Sequence, residues 1–100
     1  MSDTAKDAIQ HSEGGGHGEF FIMREGKRVA ELTYSRSGES AVVVGHTWVD
    51  PKHRGGTLAP SLVDAVVAWA REEHQKIVPA CSYVRRVFSS SNKFDDVWSR

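Results

Sequence analysis

The stretch VDPKHRGGTLAPSLV, Val49 to Val63, is where this chain changes its hydrophobic period. On its C-terminal side Leu58, Leu62, Val66 and Trp69 recur at helical spacing, with Ala59, Val63 and Ala70 beside them. That is the apolar stripe of an amphipathic helix. Inside a continuous helix the ring of Pro60 would collide with the carbonyl of Gly56, and proline has no N–H to donate. Both difficulties vanish if the helix starts near Thr57, because first-turn N–H groups have no intrahelical partner. Pro60 therefore marks a start. The pair Gly55-Gly56 puts the freest backbone of the chain directly before it.

Working outward, the N-terminal side reads as strands. Phe20 to Arg24 is apolar and aromatic, and Val29 to Tyr34 alternates with Ala30, Leu32 and Tyr34 on one face. Ala41 to Val49 is a third, longer strand. The short polar segments between them predict turns and an antiparallel meander. After the helix, Ile77-Val78-Pro79 reads as a short central strand, parallel to its neighbour. Ser82 is positioned to cap a second helix with Val84, Val87 and Phe88 inward. Lys93 to Arg100 reads as a last short helix anchored by Phe94, Val97 and Trp98. The predicted order is βββ-α-β-α-α, an α+β domain.

The chain has 100 residues and a formal net charge of zero. This length predicts one domain. Residues 1–18 offer almost no large apolar side chain beyond Ile9, and end in EGGGHG. They read as a disordered tail, with the domain spanning 19–100. The balanced charge argues against a nucleic-acid partner, which usually requires a basic excess. Arg85-Arg86 is a basic doublet and reads as a solvated helix face. No apolar run is long enough to span a bilayer, and nothing resembles a signal peptide. Cys81 has no intrachain partner. These features predict a cytoplasmic protein with a reduced thiol and no membrane partner; we expect a monomer.

A strand, a glycine turn and a helix start form a generic anion site, because N–H groups and the helix dipole converge on it. Arg54 adds a fixed positive charge. The turn lacks the Gly-Lys-Ser/Thr ending of a nucleotide-triphosphate loop, and its glycine spacing is not the dinucleotide fingerprint. The whole pattern V-D-P-x-x-R-G-G-x-L-A, followed by an amphipathic helix and a short apolar strand, resembles the GCN5-related N-acetyltransferase (GNAT) family. GHTWV and KIVPACSYV further resemble its minimal, single-domain branch. In that family the turn carries Arg/Gln-x-x-Gly-x-Gly/Ala and holds the pyrophosphate of acetyl-CoA. Arg54 matches the first position, Gly55 the glycine that commonly follows, and Ala59 the last. Thr57 stands where glycine is usual. The resemblance implies a wedge between two splayed strands, with acetyl-CoA held by Arg54, Gly55, Gly56, Thr57, Leu58 and Ala59. It also implies that backbone groups of Thr47, Trp48 and Val49 meet the pantetheine arm.

Two side chains are candidate catalytic groups. Cys81 stands at a helix start, where a thiol becomes more acidic. It reads either as a group beside the thioester or as a small buried hydrophobe. His46, on the third strand, reads either as a general base or as a hydrogen-bonded core histidine. Glu31, an inner-strand carboxylate by alternation, reads either as a group that binds or deprotonates an amine or as the solvent face of a strand. His11, His17, His53 and His74 lack metal-ligand spacing, so no metal is expected. Trp48, Trp69 and Trp98 read as core anchors. The function so implied is transfer of acetyl from acetyl-CoA to a primary amine. The alternative is a non-catalytic acyl-CoA-binding or protein-interaction module of the same fold.

Overall fold

A computed structural model describes residues 8–100. Five strands form one sheet: β1 (Ile9–Gly14), β2 (His17–Arg24), β3 (Lys27–Ser37), β4 (Ala41–Val49) and β5 (Lys76–Pro79). They lie in that order across the sheet. The first four are antiparallel to their neighbours, and β5 runs parallel to β4. A single turn of 3-10 helix (Pro51–His53) and helix α1 (Leu58–Glu72) join β4 to β5, and helix α2 (Ser82–Ser89) follows. The α+β arrangement of meander, helix and parallel strand is the one the sequence pattern predicts.

The core forms where α1 lies on the sheet. Leu58, Leu62, Val63, Val66, Val67 and Ala70 are its buried residues. They share one cluster with Phe20, Ile22, Ala30, Leu32, Val42, Val44 and Ile77. Pro60 is the third residue of α1, within the first turn, as its missing N–H requires. From α2 the cluster takes Val84 and Phe88, while Val87 is half-buried against it. The cap of α2 is Cys81, and Ser82 is already helical. Trp69 and Trp98 pack against the core as expected, but Trp48 is half-buried outside that cluster.

Three details differ from the sequence reading. The sheet begins at Ile9, ahead of the expected domain boundary at Glu19; residues 1–7 of the expected tail lie outside the described residues. EGGGHG contains a hairpin turn: Gly14 pairs with His17, and Gly15 and Gly16 adopt φ of 63° and 83°. Two positive-φ residues make the turn whose twist suits a hairpin. The strand is anchored by a ring that counts as polar in composition. His11 stacks on Phe20 with centroids 4.1 Å apart, meets Trp69 edge-on at 5.2 Å, and places Nε2 2.7 Å from the Tyr34 hydroxyl. The second difference is that β5 lies at the end of the strand order. Its outer edge is met by the C-terminal segment: the Ile77 N–H donates to Val97 O at 2.6 Å, and the Ser99 N–H donates to Ile77 O at 2.7 Å. The third follows from it. Residues 93–100 form turns and a bridge, because pairing with the open edge of β5 demands extended backbone there.

The His11 cluster carries a pH dependence. Burial lowers the His11 pKa from its ordinary 6.5, with Glu13 and Glu73 raising it and Arg36 lowering it. The folded protein therefore takes up this proton less readily than the unfolded chain. The stability involved is present above about pH 6.5 and is lost as acidification passes through the lowered value. His11 is itself exposed, so solvent screening keeps the effect small, and we expect Tm to fall by about 1 °C between about pH 7.5 and about pH 5 through this group. His11→Phe, which keeps a ring on Phe20, should flatten that part of the curve in a thermal-melt series. Superimposable curves for both proteins would assign the dependence elsewhere.

Candidate functional site

The site begins where β4 loses a neighbour. Its ladder with β5 ends at the pair Val44 and Pro79. There the Val44 carbonyl accepts two N–H groups, from Ala80 at 3.0 Å and Cys81 at 2.9 Å. On the other side β3 stays paired with β4 as far as Val49. One edge of β4 from Gly45 onward is thus without a strand partner. The β3–β4 register also slips here, with Thr33 opposite His46 and Tyr34 opposite Val44, so Gly45 is left over. Such a bulge bends the strand away from its former direction.

A cleft of about 280 Å³ occupies the opening. Thr47, Trp48 and Val49 line it from β4; Arg54, Gly55, Gly56, Leu58 and Ala59 line it from the turn and the start of α1. Thr57 caps α1 without a side-chain capping bond and is not among the lining residues. The turn is stiffened from within. Asp50 Oδ1 accepts the Lys52 N–H at 2.9 Å, and Arg54 Nε donates to the Val49 carbonyl at 2.8 Å. Gly55 has φ of 85°, a conformation other residues adopt at a cost, whereas a Cβ on Gly56 would find only His53 O, at 3.7 Å. The first glycine is required by the backbone, and the second keeps space open. The N–H groups of Leu58 and Ala59 belong to the first turn of α1 and have no intrahelical acceptor. Arg24 Nη1 lies 3.3 Å from His53 Nδ1, bringing a second guanidinium to the turn. The helix dipole reinforces this positive end.

Two lining residues escape the sequence reading, His53 and Tyr83. Their signals were adjacency: His53 precedes Arg54, and Tyr83 lies one helical position beyond Ser82. Burial, with a smaller push from Asp64 and Cys81 against Arg86, holds the Tyr83 hydroxyl above its ordinary pKa, so it keeps its proton at neutral pH.

The structure separates the two candidate catalytic groups. Leu32 pairs with Thr47 and Ala30 with Val49, on the face that carries α1; Thr33 pairs with His46 and Glu31 with Trp48, on the other. Cys81 belongs with the first set: its Sγ lies 3.4 Å from Thr47 Oγ1. It is half-buried. Burial pushes the thiol up, but the Thr47 hydroxyl and the N–H groups of Val84, Tyr83 and Thr47 outweigh it, leaving Cys81 more acidic than an ordinary thiol. His46 Nε2 instead lies 3.0 Å from Glu31 Oε2, and its side chain is exposed. Among the described residues no three His, Cys, Asp or Glu side chains are grouped so as to hold a metal ion. No helix among them is long and apolar enough to cross a membrane.

Comparison with known proteins bears on this cleft. A family profile described as GCN5-related N-acetyl-transferase matches residues 19–97. No curated protein matches the chain. Among solved structures, the chain is similar to a GCN5-like protein from Staphylococcus aureus, with 28% identity, 95% of this chain and 90% of that one covered, and a TM-score of 0.71. It has the fold of the ribosomal-protein-alanine N-acetyltransferase from Brucella melitensis biovar Abortus 2308, at 22% identity over 77% of this chain and 62% of that one, with a TM-score of 0.62. It also has the fold of aminoglycoside N-acetyltransferase AAC(6')-Iy, solved in complex with CoA, at 14% identity over 83% of this chain and 88% of that one, with a TM-score of 0.61.

The thiol environment is directly testable. Iodoacetamide should alkylate native Cys81 faster at neutral pH than the same cysteine in urea-unfolded protein, after correction for access with a neutral thiol probe. Thr47→Val removes one hydrogen bond to the thiolate and should slow alkylation by about two- to tenfold. Equal rates in the variant and the wild type would show that Thr47 does not tune the thiol.

Proposed function

The chain belongs to the GCN5-related N-acetyltransferase family, and we propose that it binds acetyl-CoA in the cleft beside β4 and transfers the acetyl group to a primary amine. One observation carries this reading: the unpaired edge of β4 and the electropositive start of α1 border the same opening. An extended chain bearing amides and ending in a pyrophosphate has the matching chemistry. Backbone groups of Thr47 to Val49 would pair with the amides as a strand does. The N–H groups at the start of α1, with Arg54, would take the phosphate oxygens. The fit is supported at Gly56, where a side chain would fill the space left open before the helix.

When bound, acetyl-CoA supplies an acetyl thioester, an activated acyl group with a thiol as its leaving group. This chain's own residues hold and orient it. Binding along β4 fixes the reacting carbon and converts the encounter with an amine into a local one. Backbone N–H groups on the unpaired edge are donors toward a developing oxyanion. Tyr83 keeps its proton and is a donor in the cleft. We assign Cys81 a place at the inner end of the cleft beside Thr47, and favour direct attack by the amine over an acetyl-cysteine route. The acceptor approaches from the side of His46.

Titration with acetyl-CoA, followed by amide NMR, should move signals from Gly45 to Ala59 and from Cys81 to Val84 most. Gly56→Val should raise the Kd at least about tenfold, while leaving Tm within a few degrees. Shifts centred on Arg85 and Arg86, or none at all, would refute the cleft assignment. With spermidine, free lysine and glucosamine as amines, release of free CoA thiol should accompany transfer. Binding without release for any amine would identify a non-catalytic acyl-CoA-binding module instead.

A further inference from the structure

On the sheet face opposite α1, four side chains form one line of polar contacts from β2 to β4. Arg28 holds both oxygens of Glu19, at 2.7 and 3.2 Å. Its Nη1 also reaches Glu31 Oε1 at 3.1 Å. The remaining oxygen of Glu31 lies 3.0 Å from His46 Nε2. The guanidinium of Arg28 is itself steadied over the Phe21 ring, 4.0 Å from its centroid. Glu31 is thus fixed from one side and engages His46 with the other.

The place of His46 gives this line its meaning. It follows Gly45, the residue left over where β4 parts from β5, and precedes Thr47, which lines the cleft. A second groove, of about 460 Å³, runs up to Gly45, with Glu19 and Thr33 in its wall. Thr33 is the direct cross-strand partner of His46. The carboxylates in its lining, Glu13 and Glu19, are each held by a guanidinium, of Arg36 and of Arg28.

We propose that Glu31 is the positioning residue for His46. By accepting a hydrogen bond from Nε2–H it leaves Nδ1 bare, and Nδ1 takes the proton that a primary ammonium must lose before it can attack. This rests on the acetyl-transfer reading above. One N–H bond of the ammonium breaks as an N–H bond forms at Nδ1. The freed lone pair makes the N–C bond to the acetyl carbon, and the C–S bond breaks with its electrons leaving on sulfur. The nitrogen's surplus proton passes to that sulfur, and His46 later returns its own proton to solvent. A carboxylate fixing the tautomer and tilt of an imidazole is a general means of making it a useful base.

The test reads the imidazole itself as well as the reaction. Long-range ¹H–¹⁵N spectra of the free, full-length protein above pH 8 should show His46 with a protonated Nε2 and a bare Nδ1. Glu31→Ala should turn this into a mixture of tautomers. With acetyl-CoA and the best amine of the panel, His46→Ala should lower kcat by about a hundredfold and Glu31→Ala by about tenfold. The double variant should lose no more than His46→Ala alone, since both changes act through one group. The KM for acetyl-CoA should stay within about twofold throughout. An unchanged tautomer in Glu31→Ala, unchanged kcat, or losses that multiply in the double variant would each overturn the assignment while acetyl transfer by the wild type stood. A wild type that acetylates none of the amines would overturn the acetyl-transfer reading together with this one.

Discussion

Val44 C=O accepts the N–H groups of both Ala80 and Cys81, and this doubled bond is the last link between β4 and β5. A parallel ladder could have continued to Val49. Instead the chain turns after Pro79, which has no N–H to offer a next rung and closes the strand. The bulge at Gly45 falls beside it and bends β4 away. One edge of a strand is left unpaired inside a folded domain, which is ordinarily a liability. Here the start of α1 and the start of α2 flank that edge, turning it into the wall of a cleft.

The two sides of β4 carry different polar groups. The turn before α1 gathers Arg54, His53 and first-turn N–H groups on the cleft side. The opposite face carries Glu19, Glu31 and His46, with Arg28 locked between the two carboxylates. The separation is a product of strand alternation. Consecutive residues point to opposite faces, so His46 and Thr47 serve different sides of the sheet although they are bonded neighbours. Cys81 joins the Thr47 side, its N–H tied to the Val44 carbonyl and its Sγ 3.4 Å from Thr47 Oγ1.

Much of this was legible in the chain itself. The switch from a two-residue to a helical period after Val49 located β4, the turn and α1, and Pro60 fixed the helix start to within a residue. The segment 47–59 could be named as one site because strand and helix there are contiguous in sequence. Three features were not legible. Glycine runs serve both as loose linkers and as hairpin turns, so EGGGHG did not reveal β1. Histidine counts as polar in composition, yet the His11 ring, although exposed, packs as an aromatic against Phe20, Tyr34 and Trp69. The ends of α2 and of the chain were set by distant partners: the β4 carbonyl that fixes Cys81, and the open edge of β5 that draws Val97 to Ser99 into extended form. No local pattern contains those partners.

The anchoring of β1 has a consequence for how the domain opens. Along its length β1 pairs only with β2, and past Ile9 it is held by the His11 ring and the Glu13–Arg36 ion pair. The inner residues of β3 and β4, among them Leu32, Val42 and Val44, are instead buried within the core cluster beneath α1. Two tiers of protection against hydrogen exchange result. Ile9 to Gly14 forms a unit whose amides exchange by peeling from β2 with the rest of the sheet intact, while those of Leu32 and Val44 exchange only when the domain unfolds as a whole. Peeling of the first strand in this way would leave the pairing of β3 with β4, and so the cleft wall, in place.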